Sequence, residues 1–89
     1  MATAIVRHRV SNFSTWKATF DNVEDVRRAD GMTGWNIYTA ANDDLEVTAV
    51  LEFSSLEKAQ GHFSNPVVKQ AMQNAGVISK PEVTFLEAR

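Results

Sequence analysis

Leu45-Glu46-Val47-Thr48-Ala49-Val50-Leu51-Glu52-Phe53 sets Leu45, Val47, Ala49, Leu51 and Phe53 on one parity and Glu46, Thr48 and Glu52 on the other. Alternation of this kind is a strand with one face turned to a core. Thr3–Val10 repeats it, with Ala4, Val6, His8 and Val10 against Thr3, Ile5, Arg7 and Arg9. If these strands are neighbours with their apolar parities aligned, Arg7 and Arg9 share a surface with Glu46 and Glu52. A sheet face of paired charge on so small a chain points to a lined cavity or a partner surface.

Between the two strands, Asn12 caps a helix whose apolar residues Phe13, Trp16, Phe20 and Val23 recur at spacings of three and four, and Gly31 ends it. Met32–Ala40, rich in Trp35, Ile37, Tyr38 and Thr39, reads as a strand, and Asn42-Asp43-Asp44 turns it into Leu45–Phe53 as a hairpin. Ser54 and Glu57 fit a capping box for a helix carrying Leu56, Ala59 and Phe63. Asn65-Pro66 opens a further short helix with Val67, Val68, Ala71 and Met72 on its packed side, ended by Gly76. Val77–Glu87 is the last strand, and Pro81 inside it marks a sheet edge or a bulge.

The order strand, helix, strand, strand, helix, strand predicts an α+β, ferredoxin-like four-stranded antiparallel sheet with its helices on one face. Right-handed crossovers place the first and third strands centrally and the last at an edge. The uncovered face still carries Ile5, Val50 and one of Trp35 or Tyr38, which favours a homodimer formed by face-to-face sheet packing. Residues 1–89 are expected to form a single domain, small enough to bury only roughly two-thirds of its surface on folding. A hydrophobic content of 44% with 22% charged residues fits a globular chain. A net charge of −2 offers no footprint for nucleic acid or an anionic membrane. The absence of cysteine removes disulfides, thiol nucleophiles and thiolate metal sites. Neither a signal peptide nor a run of membrane-spanning length is apparent, so a cytoplasmic location is expected. No metal or cofactor is expected either: His8 and His62 lack ligand spacing, and no phosphate loop, nucleophile elbow or dinucleotide fingerprint occurs.

Val6-Arg7-His8-Arg9-Val10-Ser11-Asn12-Phe13, with Trp16-Lys17, Phe20-Asp21, the strand end Leu51-Glu52-Phe53, Asn65-Pro66 and Pro81-Glu82-Val83-Thr84-Phe85-Leu86, resembles small bacterial proteins of the dimeric α/β-barrel superfamily, nearest to the antibiotic biosynthesis monooxygenase-like group. The resemblance covers essentially the whole chain. It implies that the sheet forms a dimeric α/β barrel around a cavity. It also implies a cofactor-independent monooxygenase or cyclase-like enzyme acting on a small aromatic or polyketide-like molecule. The haem-degrading branch is disfavoured, because Phe53 stands where a tryptophan is common and Met72 and Gln73 stand where an axial histidine would lie.

His8 is the candidate base, since imidazole moves protons near neutral pH. Its parity with Val6 and Val10 sets it on the helix side, where a structural histidine would also fit. Arg7 would clamp a carboxylate or enolate, and a desolvated Glu52 would offer a second base. Cross-strand ion pairing explains the same charges without a ligand. Trp35 and Tyr38, on opposite sides of their strand, Thr48 and Phe53 are the expected ligand contacts for a small hydrophobic or aromatic molecule. A non-catalytic binding or dimerisation module is the alternative. A one-residue slip in register would exchange the two faces and move His8 into the cavity.

Overall fold

A computed structural model describes all 89 residues, Met1–Arg89. The elements run β1 (Ala2–Arg9), α1 (Phe13–Asn22), α2 (Glu24–Ala29), β2 (Met32–Ala40), β3 (Asp43–Phe53), α3 (Leu56–Ser64), α4 (Pro66–Asn74) and β4 (Glu82–Glu87). The four strands form one antiparallel sheet in the order β2-β3-β1-β4. The helices pack on one face of it, giving the ferredoxin-like layering.

The expected barrel is corrected: the sheet is open. β2 and β4 are its two edges and pair with nothing beyond β3 and β1 respectively. A barrel interior wide enough to be filled by side chains takes about eight strands, and this sheet has four.

The register of the two central strands follows the parity pattern. Val6 faces Ala49, His8 faces Val47 and Ala4 faces Leu51, all towards the helices. Phe53, Val10 and Val47 are fully buried there, with Trp16 of α1 and Ala59 of α3 packed over them. On the bare face, Thr3, Ile5 and Arg7 lie opposite Glu52, Val50 and Thr48.

Three boundaries depart from expectation. The first helix breaks at Val23 (φ −107°, ψ 24°), so α2 starts as a separate short helix before Gly31, whose φ of 95° only glycine takes without strain, ends it. The cap of α3 is Ser55 rather than Ser54: its hydroxyl accepts from the Lys58 amide. The last strand is shorter than Val77–Glu87, because Val77 makes only an isolated bridge to Val10 and Pro81, lacking an N–H, sits just ahead of β4. No helix is long and apolar enough to cross a membrane.

A cavity between sheet and helices

The sheet's helix face and the four helices do not meet everywhere. A cavity of about 80 Å³ remains between them, floored by Val6, His8, Ala49 and Leu51 and roofed by residues of α1, α2, α3 and α4. Where roughly 10–15 Å³ admits one water, this is room for several waters or a single aromatic ring. Thirteen of its seventeen lining residues are hydrophobic, and the other four are His8, Thr19, Arg27 and His62.

His8 reaches the floor because β1 alternates and its odd neighbours face the other way. It is 4% exposed, and neither ring nitrogen has a hydrogen-bond partner. Trp16 lies against it with ring centroids 5.6 Å apart. Burial pushes the imidazole below the ordinary histidine value, against a smaller upward pull from Glu46. The ring is therefore held neutral at neutral pH.

His62 enters from α3. Its Nδ1 lies 2.7 Å from Asp30 Oδ2, and the same oxygen accepts from Asn65 Nδ2 at 3.1 Å. A carboxylate can only accept, so Nδ1 carries the proton and Nε2 keeps its lone pair. Nε2 has no protein partner. Burial lowers this imidazole as well, outweighing the raising effect of Asp30. The Asp30–His62 pair thus presents an oriented base to an apolar space.

Arg27 closes the wall from α2. It is 3% exposed, its Nη1 donates to the Phe20 carbonyl, and its guanidinium lies over the rings of Phe20 (3.6 Å to the centroid) and Trp35 (4.5 Å). Burial lowers its pKa from the ordinary arginine value. It nonetheless stays charged, as arginine does in proteins.

The candidates named from sequence are divided by the sheet. His8 faces the cavity, whereas Arg7 and Glu52 lie on the bare face, and Arg7 pairs with Glu46 at 3.6 Å while Glu52 accepts from the Thr3 hydroxyl at 2.7 Å. Arg7 is paired across from Thr48, four residues from Glu52 on the same strand, a separation of roughly 13 Å at strand rise. The structure therefore does not bring these three together. Tyr38 and Thr48 also face away, Tyr38 being 55% exposed. Trp35 backs the cavity through Arg27, and Phe53 is buried behind His62 with ring centroids 5.5 Å apart. Neither lines the space. No three His, Cys, Asp or Glu side chains cluster as a metal-ligand set.

Arg27 and His62 were legible as anomalies of helical spacing. Arg27 continues the stripe Phe13, Trp16, Phe20, Val23, and His62 stands three residues after Ala59 on the packed side of its helix. A charge or an imidazole on a core stripe is the signal.

The fold recurs in solved structures. SnoaB, a cofactor-independent oxygenase from Streptomyces nogalater, superposes with a TM-score of 0.79 at 12% identity over 99% of this chain and 92% of its own. A proposed antibiotic biosynthesis monooxygenase from Bordetella bronchiseptica gives 0.80 at 13% identity over 99% and 96%. A conserved protein from Methanosarcina mazei Go1 gives 0.77 at 12% identity over 100% and 94%. This is the antibiotic biosynthesis monooxygenase fold. At such identities the likeness is one of fold alone. No family model and no curated protein matches the chain.

Proposed function

We propose that this protein is a cofactor-independent enzyme, monooxygenase or cyclase-like, that abstracts a proton from a small aromatic or polyketide-like molecule held in the cavity between sheet and helices. The observation that carries the reading is the pair of buried imidazoles, His8 and His62, on the walls of one apolar space. His62 Nε2, its ring oriented by Asp30, takes the proton from a phenolic or enolic group. His8, whose nitrogens lack partners and are sealed from solvent, holds the oxygen that gains charge by hydrogen bonding once a neighbouring side chain shifts to admit it. The electron-rich anion then attacks a carbonyl to close a ring, or reacts with dioxygen. The likeness to SnoaB, itself a cofactor-independent oxygenase, favours the second course. Arg7 and Glu52 act on this reading only outside the cavity, at the bare face, where Ile5, Val50, Tyr38 and Leu86 support pairing with a second copy.

The test is dioxygen uptake with a single-ring hydroquinone in metal-free buffer, beside product analysis under argon with a short linear triketone, which carries both an acidic C–H and a carbonyl to attack. Protein-dependent uptake that falls at least about a hundredfold in His62→Ala supports general-base oxygenation. A ring-closed product formed under argon supports the cyclase course. Saturable binding with neither product leaves a non-catalytic binding module.

A further inference from the structure

We infer that Arg27 anchors a carboxylate subsite in the cavity, so that the molecule taken up is a small apolar acid. This rests on the cavity being the functional site and specifies what enters it.

Arg27 is a buried cation without a counter-ion. Its Nη1 is taken by the Phe20 carbonyl, and Nε and Nη2 have no partner. Those two atoms share one edge of the guanidinium, the edge that meets both oxygens of a carboxylate side by side; both are sealed from solvent, so a carboxylate meets them only as a neighbouring wall side chain shifts. The two acids whose charge acts on it, Glu24 and Asp21, are engaged elsewhere, and so is Asp30. Asp21 holds Lys17 at 2.9 Å, Glu24 holds Arg28 at 3.0 Å, and Asp30 holds His62 and Asn65. The rings of Phe20 and Trp35 stack against the guanidinium. They hold its plane in place and supply no hydrogen-bond acceptor to its edge.

The surroundings define the rest of the ligand. No carboxylate lines the cavity, whose other polar residues are His8, His62 and Thr19, and its walls near α4 are Val68, Ala71 and Met72. An apolar body with one acidic group matches both the walls and the unpaired edge. The volume of about 80 Å³ limits that body to about one ring.

Titration with benzoate and benzamide, which share shape but not charge, is the test, followed by ¹H–¹⁵N spectra that resolve the Arg27 Nε–H. Benzoate is expected to move that resonance and to bind at least about tenfold more tightly than benzamide, the preference a charge-assisted hydrogen bond confers. Arg27→Gln should bring the two ligands within about twofold by weakening benzoate alone. If that variant fails to fold, the wild-type resonance and the acid-to-amide ratio still decide. Equal affinities with Arg27 Nε–H unmoved overturn the carboxylate subsite while leaving a ligand-binding cavity. Failure of both molecules to bind at millimolar concentration overturns the subsite and the cavity reading together.

Discussion

His8 is expensive for a domain of this size. Two buried ring nitrogens without partners cost about 1–3 kcal/mol each in desolvation. His8→Leu, which removes both and roughly conserves volume, should therefore raise stability by about 1 kcal/mol or more in urea unfolding while reducing turnover. A loss of stability would mean the nitrogens are satisfied by water in solution. The acid response follows from the same burial. Both histidines titrate below their ordinary 6.5 when folded, so above that pH neither state binds the proton and stability is complete. As pH falls below 6.5, the unfolded chain takes up protons that the folded one does not, and stability declines. Thermal melts at about pH 7.5 and 5.5 should show that loss, and His8→Leu should flatten it. Strand parity made His8's placement legible, because Val6 and Val10 flank it on the same face. The partners of the site were not legible in this way. Asp30 and His62 stand 32 positions apart, and only the tertiary fold brings the end of α2 beside α3.

At the scale of elements, caps and breaks position the site. Asn65 serves twice, since its Oδ1 accepts from the Val67 amide to start α4 while its Nδ2 donates to Asp30. Asn65→Ala should cost about 1 kcal/mol from the cap and also loosen Asp30, so that the His62 resonances shift in NMR spectra. Asn65→Asp keeps the cap and sets two carboxylates together, which should raise the His62 pKa. Gly76, at φ 82°, ends the stretch beyond α4, and a Cβ there would lie 2.6 Å from Ser11 Oγ. Gly76→Ala should cost about 1–2 kcal/mol for the backbone alone, measurable by urea unfolding, and Ser11→Ala should recover only the steric part. Both helix-ending glycines and the Asn-Pro start could be read from residue types. The break at Val23 could not, because Val23 itself continues the apolar stripe.

The whole molecule leaves one sheet face bare, carrying Ile5, Val50, Tyr38 and Leu86 among polar neighbours. Pairing of two copies through this face predicts that Val50→Lys shifts sedimentation from dimer to monomer at micromolar concentration, while benzoate binding in the helix-side cavity is unchanged. A wild-type monomer would show that the face stays in water. The sheet thus sets the proposed pairing surface apart from the cavity, which the charge pattern of β1 and β3 alone had merged into one site. Asp30 has a further consequence for timing. It fastens the end of α2 to both α3 and the start of α4, and so acts as a latch across the roof of the cavity. If His62 accepts a proton from a bound molecule as proposed, its hydrogen bond to that latch becomes an ion pair, and the roof is gripped hardest while that molecule lies beneath it. If the proposed chemistry holds, release would then wait on deprotonation, and turnover would rise in concentrated buffer.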